Sequence, residues 1–141
     1  LHVGEIITRE LGREMPPYAA RLRELVNARQ LGRKSGQGFY RWHDGKAVRE
    51  PVTATAPADL SDRLILALLN ECAACLREQV VVDADLLDAG VVFGTGFAPF
   101  RGGPLNYART RGVAAVVARL GELEQRHGAR FHPDAGWSAL G

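Results

Sequence analysis

The chain has 141 residues, 18 Lys+Arg, 16 Asp+Glu and 46% hydrophobic residues, the size of one domain or two small ones and too apolar for disorder. Its formal charge of +2 gives no footprint of the kind that nucleic-acid binding needs. No apolar run approaches the roughly 18 residues of a membrane span.

Leu1 opens an apolar, helix-like pattern with no cap before it, which reads as a cut through an element of a longer chain. No basic segment with a small-residue cleavage site follows, so no signal peptide is readable. Two cysteines do not make a disulfide scaffold and suit a reducing cytoplasm. Lysine occurs only at Lys34 and Lys46; this arginine bias, with many Ala and Gly, points to a GC-rich bacterial genome rather than a functional Arg cluster.

Val3, Ile6, Ile7 and Leu11 predict a helix from His2 to Leu11, ended by Gly12 and Pro16–Pro17. A second helix is predicted from about Ala19 to Gln30, with Leu22, Leu25 and Val26 as its stripe and Gly32 as the residue beyond its C-cap. Gly32 to Gly38 is a basic loop that cannot sustain a helix. Phe39, Tyr40 and Trp42 follow it, and Asp44-Gly45 signals a turn, so an extended tail or a weak hairpin is expected.

Glu50 to Ala58, with Pro51 and Pro57 and no periodicity, reads as a linker. The expected domains are therefore 1–50 and 60–141, with 51–59 between them. Asp59 or Ser61 caps a long helix to about Val80, whose stripe Leu64, Leu68, Leu69, Cys72, Cys75 and Leu76 is expected to be central in the core. Asp83 caps the next helix, which carries Leu86, Leu87 and Val91 and is broken by Gly94 and Gly96. Phe97 to Pro104 is a loop, and Pro104 suits the first turn of a helix over Leu105 to Arg109. Val113 to Arg126 is a further helix with Val116, Val117, Leu120 and Leu123 buried; His127 to Gly141 is an unpatterned tail. A faint repeat relates Ile6–Gly32 to Val116–Gly141.

Gly94-Thr95-Gly96 begins like a dinucleotide fingerprint but lacks the third glycine, has Pro99 where a helix would start, and follows no strand. Gly32 to Gly38 has the ingredients of a phosphate loop in the wrong order; the bland reading is a surface loop, the functional one a contact to an anionic ligand or partner. Cys72 and Cys75 lie mid-helix in an apolar stripe, which suits core cysteines better than a redox pair or a zinc site. His2, His43, His127 and His132 accompany no readable nucleophile or metal partner. No catalytic, cofactor or metal-ligating residue is assigned from the residues themselves.

Two stretches are specific enough to name a family. Pro17 to Trp42, with Leu22-Arg-Glu-Leu-Val26 and Leu31-Gly-Arg-Lys-Ser-Gly-Gln-Gly-Phe-Tyr40, resembles the end of the C-terminal domain of L-3-hydroxyacyl-CoA dehydrogenases. Leu1 to Glu5 looks like the helix before it. Asn70-Glu71 through Val92-Phe93-Gly-Thr-Gly-Phe-Ala-Pro-Phe-Arg-Gly-Gly-Pro-Leu105 resembles the second copy of that domain in multifunctional α chains of fatty-acid β-oxidation.

The resemblance implies an all-α helical bundle of the 6-phosphogluconate-dehydrogenase C-terminal-domain-like type, a partial first copy followed by a second. It implies a parent enzyme that oxidises L-3-hydroxyacyl-CoA to 3-ketoacyl-CoA with NAD. The NAD and the catalytic His, Glu and Ser belong to a Rossmann domain absent from this chain, and the assisting Asn of the first copy precedes Leu1. Asp62 stands at the corresponding place in the second copy and supplies no amide, so that copy looks catalytically degenerate. Phe93 falls where an aromatic residue of the second copy is associated with substrate binding; a core position is the competing reading. The implied partners are an acyl-CoA substrate, N-terminal Rossmann and hydratase domains, and a second copy in a homodimer. A thiolase subunit is left open. A non-catalytic scaffold of the β-oxidation complex is the alternative.

Overall fold

The computed structural model describes residues 2–12, 15, 18–49, 51 and 54–141. Leu1, the Pro16–Pro17 stop and the linker positions Glu50, Val52 and Thr53 lie outside the described residues. The chain divides into two compact units, Leu1–Thr55 and Ala56–Gly141. Apart from one small hairpin the described fold is all-α.

The first unit holds α1 (His2–Glu10), α2 (Tyr18–Asn27), β1 (Arg41–His43) and β2 (Lys46–Val48). Arg23 donates to Glu5 at 2.9 Å, tying α2 to α1. The end of α2 corrects the expectation for Gly32. Gln30 N–H reaches the Leu25 carbonyl and Arg29 N–H the Val26 carbonyl, with Arg29 at φ 55. That is the paired bonding of a Schellman ending, completed before Gly32 by a non-glycine residue. Gly32 instead pairs with Gln37, closing the basic loop around a short 3-10 turn at Arg33–Ser35. A Cβ on Gly38 would stand 2.7 Å from the Gly32 Cα, so the loop closes only with glycine there.

The aromatic segment forms the hairpin. Arg41 pairs with Val48, Trp42 with Ala47 and His43 with Lys46. Asp44 and Gly45 take φ 48 and 73, the two positive values of a type I′ turn, which matches the twist of the strands.

The second unit is built on α3 (Leu60–Arg77), followed by α4 (Ala84–Thr95), α5 (Pro104–Arg111) and α6 (Val113–His127). Leu66, Leu69 and Ala73 of α3 pack with Ala108, Val116, Leu120, Leu123, Phe131 and Trp137. Cys72, Leu87 and Leu105 form a second cluster where α3, α4 and α5 meet. The predicted stripe is thus only partly right. Leu69 and Cys72 are in the core, but Leu64 is 65% exposed, while Leu66 and Ala73 are buried. At 100° per residue Leu64, Leu68 and Cys75 stand about half a turn from Leu66 and Ala73. The helix carries apolar residues on both sides: Leu66 and Ala73 face the larger cluster, Leu68, Cys75 and Leu76 pack half-buried against the second, and Leu64 is left outside both.

Three further boundaries differ from expectation. Gly94 lies within α4, and the helix ends at Gly96, whose φ of 76 supplies the left-handed C-cap. Asp59 precedes α3 without capping it; its carboxylate is engaged by His127 instead. The tail is a core element: 3-10 turns at Ala129–Phe131 and Ala135–Ala139 bury Phe131 and Trp137.

Candidate functional site: the α4–α5 corner

α4 starts on Asp83, whose carboxylate accepts the Leu86 N–H at 2.8 Å. Leu87 and Asp88 face inward, and Val91 is half-buried. Leu86, Gly90 and Phe93, four and three residues apart, share the outer face. Phe93 is 89% exposed, so it is not a core residue. Gly94 and Thr95 form the last helical turn, and Gly96 N–H bonds the Val92 carbonyl at 3.1 Å. This glycine pair is a helix end, with the Gly96 N–H turned back onto its own helix.

The loop beyond is held from two sides. Asp88 is 5% exposed and accepts Leu105 N–H at 2.7 Å and Asn106 N–H at 2.9 Å. It thereby satisfies donors that the first turn of α5 leaves without intrahelical partners. Pro104, with no N–H of its own, fits the first position. A Cβ on Gly103, whose φ is 106, would overlap the Asp88 side chain. Asn106 donates back to the Arg101 carbonyl at 2.8 Å. The Gly-Gly-Pro of the sequence is therefore the seat of a buried carboxylate.

Two recesses flank this corner. One, about 320 Å³, lies between α3 and α4. Its walls are Leu68, Cys72, Cys75, Val80, Leu86 and Val91 among others, and Glu71 is the one charged lining residue. The other, about 360 Å³, is lined by Ile65, Phe97, Ala98, Arg101 and Tyr107. Arg101 sits 5.3 Å from the Tyr107 ring centroid and 5.5 Å from that of Phe100. Phe100 is itself 84% exposed.

The remaining sequence candidates lie elsewhere. Asp62 accepts from Arg111 at 2.8 Å and from Arg119 at 2.7 Å. The Arg111 hydrogen bond, more than Arg119, holds its carboxyl below the usual range against the effect of burial. The position matched to the assisting Asn is thus an anchor between α3, α5 and α6. Burial pushes the Cys72 thiol up to about 12, with the neighbouring Cys75 adding to it, which keeps it protonated and unreactive. Cys75 is raised by burial as well. His127 Nε2 lies 2.9 Å from Asp59, and His132 Nδ1 lies 2.9 Å from Glu124. The Ser35 hydroxyl accepts Leu31 N–H and donates to the Gln37 carbonyl, so it is used within its own loop. Among the described residues no group of His, Cys, Asp and Glu is arranged to hold a metal, and no helix is long and apolar enough to cross a membrane.

Two structural centres were not anticipated from sequence. Asp88 is one; a lone carboxylate in the apolar run Leu86 to Val92 was the available signal. Asn70 is the other. Its side chain donates to the His132 carbonyl at 2.9 Å and accepts from Asp134 N–H at 2.9 Å and Trp137 Nε1 at 2.8 Å. Arg77, two turns on, grips Asp134 at 2.8 and 2.9 Å.

No protein-family model matches the sequence. Curated relatives do. The fatty acid oxidation complex subunit alpha of Shewanella amazonensis is 34% identical over 146 residues, covering 94% of this chain and 20% of that protein. That of Shewanella halifaxensis is 33% identical over 145 residues, with the same coverage. That of Vibrio cholerae is 36% identical over 120 residues, covering 77% of this chain and 17% of that protein. The chain spans about a fifth of the length of the first two relatives. Over nearly all its residues it is therefore a homologue of part of the fatty acid oxidation complex alpha subunits.

Proposed function

We propose that the chain is the C-terminal tandem helical portion of a cytoplasmic β-oxidation α subunit. In this reading the parent oxidises L-3-hydroxyacyl-CoA to 3-ketoacyl-CoA with NAD. The bundle is taken as 6-phosphogluconate-dehydrogenase C-terminal-domain-like, a partial first copy and a degenerate second. The observation that carries the reading is Phe93: 89% exposed at the end of α4, on the face that also carries Leu86 and Gly90 of the apolar recess. A fully solvated phenyl group contributes nothing to the fold by burial and can offer contact to an acyl or pantetheine chain.

The Gly94–Gly96 pair does not fit the dinucleotide. Gly94 to Gly96 is a helix end rather than a strand-to-helix loop, and the Gly96 N–H is spent on Val92. In this reading NAD and the proton-abstracting His–Glu pair belong to a Rossmann domain outside this chain, and the chain alone is expected to be inactive. Asp62, bound by two arginines, offers no amide to a substrate hydroxyl.

Titration calorimetry of the 141-residue chain with acetoacetyl-CoA and with free CoA tests the substrate reading. Binding that weakens roughly tenfold in Phe93→Ala, a loss of about 1.4 kcal/mol, supports it. Binding indifferent to that change, or NADH oxidation by the chain alone, overturns it. The alternative is a scaffold that serves assembly with a second copy or a thiolase subunit. The apolar recess between α3 and α4 favours it, and an absence of any CoA binding would leave it in front.

A further inference from the structure

The near-neutral total charge conceals a segregation. Six of the chain's eighteen Lys and Arg residues, and one of its sixteen carboxylates, fall within residues 29–49. They are Arg29, Arg33, Lys34, Arg41, Lys46 and Arg49, against Asp44. The fold gathers this stretch into one body: Gln37 bridges both Gly32 and Arg41, and Trp42 N–H bonds the Gly36 carbonyl at 2.8 Å. The Arg33 guanidinium comes within 3.4 Å of where a Cβ on Gly45 would stand, which brings the basic loop over the hairpin turn. Strand alternation puts Arg41, His43, Lys46 and Val48 on one face, with Trp42 and Ala47 on the other.

That charged face adjoins a recess of about 350 Å³ lined by Gln37, Gly38, Phe39, Tyr40, Arg41 and Val48. The volume is within the roughly 300–1,000 Å³ of small-molecule sites. Phe39 and Tyr40 are both exposed. Lys46 lies about 7 Å along the strand pair from the Arg41–Val48 pair that lines the recess. Arg33, Lys34 and Lys46 have no ion-pair partner among the described residues.

Exposed aromatic faces beside uncompensated cations fit a ligand with a flat ring and phosphate groups. We propose that this recess on the first unit binds a phosphorylated nucleotide, the base against Phe39 or Tyr40 and the phosphates toward Lys46, Arg33 and Lys34. The cations act as point charges and fork donors for phosphate oxygens, and the rings stack on any base. Charge complementarity selects the anion; the aromatic pair selects a nucleotide over a bare phosphate. The assignment does not depend on the β-oxidation reading, because none of its residues belongs to the α4–α5 corner.

The test is backbone-amide NMR of the 141-residue chain titrated with adenosine diphosphate, adenosine, inorganic pyrophosphate and a single-stranded oligonucleotide. Sub-millimolar diphosphate binding confined to residues 31–49 is expected, weakening steeply with added salt. Lys34→Ala combined with Lys46→Ala, both on exposed side chains, should weaken it roughly tenfold or more. Phe39→Ala should weaken the nucleotide but not pyrophosphate. Absence of shifts in this segment overturns the proposal. So does pyrophosphate matching the nucleotide, which would mean a surface anion site only. Oligonucleotide affinity that climbs with length would replace the nucleotide by a nucleic acid.

Discussion

The Asp88 carboxylate on α4 accepts the Leu105 backbone N–H at 2.7 Å, seventeen residues along the chain, and that bond sets where α5 begins. A buried charge is tolerated here because two backbone donors, Leu105 and Asn106, solvate it at the positive end of a helix. Asp88→Ala would leave the buried Leu105 N–H and the partly buried Asn106 N–H without their acceptor and is expected to cost about 2–3 kcal/mol in urea unfolding. Gly103→Ala should be comparably damaging, since its Cβ would occupy the carboxylate's space at a φ of 106. Wild-type stability in either variant would contradict the anchoring role.

Acid sensitivity follows from three carboxylates. Arg111 and Arg119 lower Asp62, Arg77 and the Gly136 N–H lower Asp134, and His127 lowers Asp59. A folded value below the unfolded one of about 3.9 means that the folded chain binds fewer protons there. The stabilisation is therefore complete above about pH 5 and is lost as pH falls through the lowered values. Thermal melts should show a flat midpoint from neutrality to about pH 5 and a decline below about pH 4. Asp62→Asn should flatten part of that decline and cost about 1–3 kcal/mol at neutral pH. An unchanged acid profile in this variant would show that the pairing does not govern it.

Asn70 holds the tail against α3 through three hydrogen bonds, one of them from the Trp137 indole. Asn70→Ala leaves that indole N–H and the Asp134 N–H without their acceptor, at about 2–4 kcal/mol. In a Trp42→Phe background the fluorescence reports Trp137 alone. A red shift and earlier tail exchange of backbone hydrogens are expected, ahead of global unfolding. An unshifted spectrum would mean that packing with Phe131 suffices.

The open groove between α3 and α4 predicts self-association of the isolated chain. Leu86, 55% exposed, lines the groove, and Leu64, 65% exposed, stands one helical turn before the lining residue Leu68. Apolar surface of this kind marks an interaction site more often than a free one. Sedimentation should show a concentration-dependent dimer for the wild type and a monomer for Leu86→Glu. A monodisperse wild-type monomer at high concentration would argue against an interface here.

The local signals were legible because each acts within a few residues. Asp83 caps α4, Pro104 starts α5, Asp44-Gly45 turns the hairpin, and the apolar spacing of Val116, Leu120 and Leu123 orients α6. Where these act, periodicity and backbone preference suffice. The exposed Phe93 and the basic loop were also marked by sequence, the first through a resemblance and the second through charge. What required the tertiary structure was every choice between equals. α3 has leucines on opposite sides, Leu64 and Leu66, and only the neighbours α6 and the tail decide which is buried. The tail has no period, yet Phe131 and Trp137 are core, because Asn70 and Arg77 supply the polar partners that fold it down. Asp88 and Asp59 look alike as helix-related aspartates; one serves a helix seventeen residues away and the other a histidine sixty-eight residues away. Long-range pairing of this sort depends on which groups packing leaves without water, and that is a property of the assembled fold rather than of any window of sequence.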